Sequence, residues 1–80
     1  MRLYYYRDSN LKEINLLIIY DNKVYPVEIK KSANPGKSAI KNFNDVEKFG
    51  LEVGNGIVLC MIDEIFAIDE NNYFVPIEYI

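Results

Sequence analysis

Two runs of consecutive apolar residues constrain the fold of this chain more than any other feature. Residues 16–20 read Leu-Leu-Ile-Ile-Tyr, and residues 57–62 read Ile-Val-Leu-Cys-Met-Ile. Apolar runs without polar alternation are typical of strands that are buried on both faces. Both runs are too short to cross a bilayer. In a chain of 80 residues, which we expect to form a single domain over residues 1–80, few other elements remain to cover such strands.

Turn and breaker residues divide the rest of the chain into strands and one helix. Asp21-Asn22-Lys23 predicts a hairpin turn, and Asn34-Pro35-Gly36 ends the following strand. Apolar residues then recur at every third position, which predicts a helix over 38–49 with Gly50 as its left-handed stop. The predicted strands are residues 4–7, 14–20, 24–30, 57–62, 65–68 and 73–77.

A strand, a helix and a second strand in that order indicate a crossover connection. We therefore expect strands 24–30 and 57–62 to be parallel neighbours. A last hairpin closes the chain, and Pro76 indicates an edge strand, because proline donates no ladder hydrogen bond. The predicted class is α/β, with a mixed β-sheet and one crossover helix.

One helix covers only one face of such a sheet. Both apolar runs are expected to be buried on both faces. A second covering element for the other face of the sheet is therefore missing from the predicted elements. We expect the chain to be part of a larger protein, or to self-associate through the uncovered sheet face.

The net charge of −3 is unevenly distributed. Residues 1–41 carry +4 and residues 42–80 carry −7. The basic half contains Lys30, Lys31, Lys37 and Lys41, which could contact a DNA backbone or could form a solvated lysine-rich surface. With no histidine and one cysteine, a metal site would rely on oxygen ligands, which favour Mg or Mn. We expect a cytoplasmic protein with no membrane segment.

Four polar residues on the two strands of the first hairpin are candidate site residues. Strand alternation places Glu13 and Asn15 on one face of their strand, and Glu28 and Lys30 on one face of the next. Carboxylates that bind a divalent ion, with a lysine beside them, are the arrangement needed for metal-dependent phosphodiester hydrolysis. The alternative is a buried ion pair, Lys30 with Glu28 or Glu13, that fixes strand register.

Three stretches carry a resemblance to a known family: YYYRDSNLKEINLLI, KVYPVEIKKSANPGKSAIKNF and DENNYFVPIEYI. They resemble the nuclease-like C-terminal domain, of uncharacterised function, that follows an AAA+ ATPase module in many prokaryotic proteins. The resemblance implies a truncated PD-(D/E)XK nuclease fold, also called restriction-endonuclease-like. It covers nearly the whole chain.

The resemblance also implies roles for individual residues. Glu28 and the backbone carbonyl of Ile29 would bind the metal, and Lys30 would be the catalytic lysine. The family typically has an aspartate where this chain has Asn15, so the site loses a negative charge that a hard cation needs. The Cα of Glu13 lies about 7 Å from that of Asn15 along the same strand, and Glu13 is a possible substitute ligand. Ser32 could touch phosphate or cap a turn.

Two functions follow from these residues. The first is a nuclease-like module of an AAA+ ATPase, weakened or inactive because of Asn15, that acts in docking, dimerisation or nucleic-acid association. The alternative is an active Mg- or Mn-dependent phosphodiester hydrolase that uses Glu28 and Lys30. The sequence contains no Gly-x-x-x-x-Gly-Lys stretch, so we expect no nucleotide site in this chain.

Overall fold

The computed structural model describes residues 2–7 and 13–79, which build one seven-stranded mixed sheet with short 3₁₀ helices beside it. No helix of this part of the chain is long and apolar enough to span a membrane. The strands are β1 Arg2–Arg7, β2 Glu13–Tyr20, β3 Lys23–Ile29, β4 Glu52–Val53, β5 Gly56–Cys60, β6 Phe66–Ala67 and β7 Asn72–Pro76. The 3₁₀ helices are η1 Lys37–Ile40, η2 Phe43–Phe49 and η3 Ile77–Tyr79.

The strand order is β1-β2-β3-β5-β7-β6, with the short β4 also paired to β3. β3 and β5 are parallel neighbours, as predicted, and β5 and β7 are also parallel. The hairpin of β2 and β3 turns at Asp21 and Asn22, whose φ angles of 53° and 62° are both positive. Such a turn matches the right-handed twist of the strands it joins. The broad expectation of a small mixed sheet with few helices is confirmed.

The helix predicted over 38–49 is helical in the structure, but as two short 3₁₀ helices, η1 and η2, and not as one continuous helix. Their hydrogen bonds span three residues: Lys41 N–H donates to the Ser38 carbonyl at 3.1 Å, and Asp45 N–H to the Asn42 carbonyl at 3.0 Å. A 3₁₀ helix has three residues per turn, so the strict three-residue spacing of apolar positions fits it better than an α-helix. Gly50 ends η2 with a φ of 78°, the left-handed stop predicted for it.

The prediction that Pro76 marks an edge strand is also wrong. β7 lies between β5 and β6, and Pro76 is fully buried opposite Cys60. The proline is tolerated because β6 is only two residues long and pairs with Tyr73 and Phe74. Pro76 therefore lies beyond the last residue of β7 that pairs with β6.

The register divides the side chains of the sheet between two faces. The first face carries the core, where Leu17, Val24 and Val58 pack with Phe43 and Val46 of η2. The intervening residues of each strand place their side chains on the second face. Burial on both faces is confirmed for β5 but only in part for β2, where Leu17 is 4% exposed and its neighbours are half-buried. The second face carries Leu16, Ile18, Tyr25, Val27, Ile29, Ile57, Leu59, Tyr73 and Val75.

Gly56 is a point of close approach between η2 and the sheet. A Cβ at this position would collide with the Phe43 ring and with Asn72 Oδ1, which accepts a 3.1 Å hydrogen bond from Gly56 N–H. Gly56→Ala should therefore lower the free energy of unfolding by about 1–3 kcal/mol, the usual cost of overpacking a core. Urea denaturation measures this difference. Gly36→Ala is the matched control, because its Cβ would meet only Ser38 Oγ, at 3.9 Å. Equal losses in both variants would contradict the assignment.

Asp69 organises the loop between β6 and β7. Its Oδ1 accepts hydrogen bonds from Asn71 N–H at 2.8 Å, from Asn72 N–H at 2.9 Å and from Asn72 Nδ2 at 3.0 Å. The hydrogen bond from Asn71, followed by that from the Asn72 side chain, lowers the pKa of Asp69 below its usual 3.8. The charged carboxylate is therefore the form that the folded loop favours.

This lowered pKa gives the stability of the fold a defined pH dependence. The contribution of Asp69 is fully present above a pH of 3.8 and is lost as the pH falls through the lower pKa of the folded state. Thermal unfolding of wild type and Asp69→Asn should show a Tm difference that shrinks in that acidic window. Asp63→Asn, which removes an exposed carboxylate from the loop after β5, controls for the loss of one charge. A Tm difference that does not change with pH would refute the role of the Asp69 charge.

Candidate functional site

The candidate site is a pocket of about 360 Å³ on the first face of the sheet, at the end of β3. Its floor is the strand and its wall is the segment that leads into η1. Two more hydrogen bonds extend the pairing of β3 with β5 past residue 29: Lys30 N–H donates to the Leu59 carbonyl, and Met61 N–H to the Ser32 carbonyl, both at 2.9 Å. The backbone under the pocket is therefore fixed. The lining residues are Glu28, Lys30, Ser32, Pro35, Gly36, Ser38, Ala39, Lys41 and Asn42.

Glu28 and Lys30 lie on the same side of β3 and line the same pocket, as strand alternation predicts. Glu28 is 3% exposed and is the buried charged residue among the side chains that the structure describes. Every buried side-chain oxygen and nitrogen in that part of the chain has a hydrogen-bond partner. Burying a carboxylate is costly unless hydrogen bonds replace those lost to water. The groups around Glu28 supply this compensation by hydrogen bonding to its carboxylate.

The predicted lysine cluster is divided by the fold. Lys30 and Lys41 line the pocket, whereas Lys31 and Lys37 are exposed and lie outside its lining. Lys31 is the next residue after Lys30, and strand alternation directs its side chain away from the pocket. Lys37 is close enough to Asp69 to contribute to the lowered pKa of that carboxylate. Two of the four lysines therefore belong to the candidate site.

The structure shows one of the two roles that the sequence left open to Ser32. Its Oγ accepts a hydrogen bond from Asn34 N–H at 3.0 Å, which closes the turn before Pro35. Ser32 also lines the pocket. Capping the turn is therefore the role that the structure shows, and the hydroxyl O–H that would donate to a phosphate is not used by this bond.

Glu13 and Asn15 are placed by their backbone in β2, and their side chains lie outside the described part of the chain. The pairing of β1 with β2 is irregular at this point: Tyr4 is opposite Leu17 and Tyr6 is opposite Ile14, so two steps along β1 match three along β2. This is a β-bulge beside position 15. Bulges interrupt side-chain alternation, which the prediction of a shared face for Glu13 and Asn15 assumed.

The metal site implied by the resemblance is incomplete in the described side chains. Glu28 is the acidic residue that lines the pocket, and no group of three Asp, Glu or Cys side chains converges anywhere in the described part of the chain. Cys60, which is buried in β5, does not line the pocket. Burial raises the pKa of its thiol and favours the neutral form, so Cys60 acts as a hydrophobic residue here.

Sequence reasoning missed Ser38 and Asn42 as pocket residues. Ser38 lies in η1, and Asn42 lies in the break between η1 and η2. The prediction of one continuous helix gave no reason to place either residue beside the end of β3.

A family model, Domain of unknown function (DUF4143), matches residues 1–80. The chain belongs to this family. Membership in the DUF4143 family is compatible with the predicted position after an AAA+ module. No curated protein and no solved structure matches the chain.

Proposed function

We propose that this DUF4143 domain is a nuclease-like module whose pocket at the end of β3 binds a phosphate group of nucleic acid, with little or no metal-dependent cleavage. The observation that supports it is the convergence of Lys30 and Lys41 with buried Glu28 in one open pocket. Two ammonium groups and one carboxylate leave the lining with an excess of one positive charge. The PD-(D/E)XK relationship is part of this proposal.

Phosphate recognition fits the remaining pocket residues. Ser38 is an exposed hydroxyl donor on η1, and Gly36 leaves the wall open because it has no side chain. Lysine ammonium groups and hydroxyls are common phosphate partners, and charge-assisted hydrogen bonds are stronger than neutral ones. The carboxylate of Glu28 would repel a phosphate at short range. In our proposal it orients Lys30 while the phosphate occupies the outer part of the pocket, near Lys41.

The low metal affinity in this proposal follows from the donor set. Magnesium in proteins is commonly bound through one or two carboxylates and substrate phosphates, and the pocket supplies one carboxylate. Asn15, at the position where the family resemblance expects an aspartate, offers a neutral amide. In the parent protein we expect the module to follow an AAA+ ATPase, so that nucleic-acid binding here would place the ATPase on its substrate.

The first test is nucleic-acid binding with fluorescently labelled single- and double-stranded oligonucleotides at several salt concentrations. Lys41→Ala should weaken binding and reduce the slope of log K against log salt by about 0.7–0.9, the value for loss of one phosphate contact. Fluorescence anisotropy measures both quantities. Lys41 is exposed, so its substitution should leave folding unaffected.

Lys23→Ala is the matched control for this experiment. Lys23 begins β3 at the end away from the pocket, and its Nζ lies 3.9 Å from a Glu52 carboxylate oxygen. Its removal takes away the same charge without touching the pocket. If Lys23→Ala lowers the salt slope as much as Lys41→Ala, binding is a general effect of charge and the pocket has no special role.

Active metal-dependent hydrolysis is the second candidate, and the burial of Glu28 in the same pocket as Lys30 favours it. Glu28 and the Ile29 carbonyl would hold the ion. When bound, Mg or Mn would polarise a phosphoryl oxygen and acidify a water molecule. The chain's own contribution would be the position of Lys30 beside the reacting phosphate.

A thermal-shift titration with manganese and magnesium separates the two candidates. We expect wild type to be unaffected and Asn15→Asp to be stabilised, by about 2.7 kcal/mol at a metal concentration one hundred times Kd. The double variant Asn15→Asp/Glu28→Gln should lose the response, which ties it to this pocket. Stabilisation of the wild type together with cleavage of plasmid DNA would replace our proposal with the second candidate.

A further inference from the structure

The short strand β6 forms one edge of the sheet. Within the part of the chain that the structure describes, the strand order ends at β6, and β7 is the one strand that pairs with it. Both residues of β6, Phe66 and Ala67, are exposed. The outer side of an edge strand presents backbone N–H and C=O groups that can pair with a strand from another chain.

The register of β6 with β7 identifies which backbone groups point outward. Ile68 N–H donates to the Asn72 carbonyl at 2.8 Å, which makes these two residues a hydrogen-bonded pair. In an antiparallel ladder, such pairs alternate with pairs whose N–H and C=O groups point away from the neighbouring strand. Ala67, opposite Tyr73, occupies the alternate position. The backbone N–H and C=O of Ala67 therefore point towards the free edge.

The side chains at this edge are apolar. Ile65 and Phe66 are 52% and 53% exposed. Natural proteins commonly protect an edge strand with a charged side chain, a proline or a bulge within the strand. Residues 65–68 read Ile-Phe-Ala-Ile and contain neither a charge nor a proline. This edge is therefore suited to strand addition, in which backbone hydrogen bonds give affinity and alternate side chains give specificity.

Acidic residues bracket the apolar stretch at both ends. Residues 63–70 read Asp-Glu-Ile-Phe-Ala-Ile-Asp-Glu, and residues 49–80 contain no Lys or Arg. Two copies of this edge that met in antiparallel orientation would place the acidic end of one opposite the acidic end of the other. Like charges directly opposite each other destabilise a strand pair. The acidic ends therefore disfavour pairing of β6 with its own copy and favour a basic strand.

The four carboxylates differ in how much of their charge is available to a partner. Asp63, Glu64 and Glu70 are exposed. Asp69 accepts hydrogen bonds from its own loop, and Lys37 lies close enough to contribute to its lowered pKa. A basic partner would therefore interact mainly with the first three carboxylates, two before β6 and one after it.

We propose that β6 is a docking strand for an extended basic segment of another polypeptide, which pairs with the free edge and adds a strand to the sheet. The segment has about four apolar or β-branched residues, the length of 65–68, with Lys or Arg at both ends. Its backbone hydrogen bonds to Ala67, and its side chains contact Ile65 and Phe66. Its basic ends lie near Glu64 and Glu70. This surface is separate from the pocket at the end of β3.

The first test measures binding of the fluorescein-labelled peptide Lys-Lys-Val-Tyr-Val-Tyr-Lys-Lys to the whole chain by fluorescence anisotropy. Two further peptides carry N-methyl groups on alternate amides, one on each alternate set. In a paired strand, one set of N–H groups faces the protein and the other faces solvent. Methylation of one set should therefore abolish binding, and methylation of the other should leave it unchanged. No binding of the parent peptide, or equal binding of the two methylated peptides, would overturn the proposal.

The second test reverses the charges beside β6. Glu64→Lys/Glu70→Lys should weaken binding of the same peptide by about tenfold at low salt, and the difference should disappear at high salt. Glu47→Lys/Glu52→Lys, on η2 and β4, is the matched control with the same charge change and should bind like wild type. Circular dichroism checks that both variants are folded. An equal loss in the control would mean that binding reflects net charge and would refute the docking strand.

Two further observations separate this proposal from its alternatives. Lys41→Ala, which tests the pocket, should bind the peptide like wild type, so failure of one proposal leaves the other intact. Light scattering of wild type without peptide tests whether another copy occupies the edge. Oligomers that dissociate in Glu64→Lys/Glu70→Lys would assign the edge to self-association and overturn the proposal.

Discussion

The parallel pairing of β3 with β5 is the contact on which the rest of the structure depends. It joins the N-terminal strands to the C-terminal ones, since the order of the sheet passes from β2 through β3 to β5. Val24 and Val58, one from each strand, are fully buried in the core. Closing this pair requires ordering the residues between the strands, a cost in chain entropy that the packing of Phe43 and Val46 offsets.

The strand β3 contributes to both faces of the sheet. Along β3, Glu28 and Lys30 contribute to the pocket on the first face, while Val27 and Ile29 contribute to the apolar second face. Successive residues of one strand thus serve a polar site and a packing surface.

The sequence predicted the strands and their pairing well because those patterns have direct physical causes. Apolar runs mark buried strands, and the Asp21-Asn22 turn and the parallel crossover follow from local chemistry and chain connectivity. The single helix expected over 38–49 is two 3₁₀ helices, because apolar spacing by three does not by itself distinguish the helix type or show the break at residues 41–42. Pro76 was assigned to an edge strand because proline donates no ladder hydrogen bond. The sequence does not show that β6 is only two residues long and ends before it reaches Pro76. For the site, alternation placed Glu28 and Lys30 together correctly, but it could not foresee the bulge beside Asn15 or the separation of Lys31 and Lys37 from the pocket.

The 3₁₀ conformation of η1 and η2 has a consequence for motion. Hydrogen bonds in a 3₁₀ helix are less well aligned than those in an α-helix, and runs beyond a few residues are uncommon for that reason. The wall of the pocket is therefore held by weaker bonds than its floor, which belongs to the central ladder of the sheet. Local opening in proteins begins where hydrogen bonds are weak and exposed, so amides in the wall would exchange with solvent well before those of β3 and β5. The wall of the pocket is therefore expected to open more readily than the sheet beneath it.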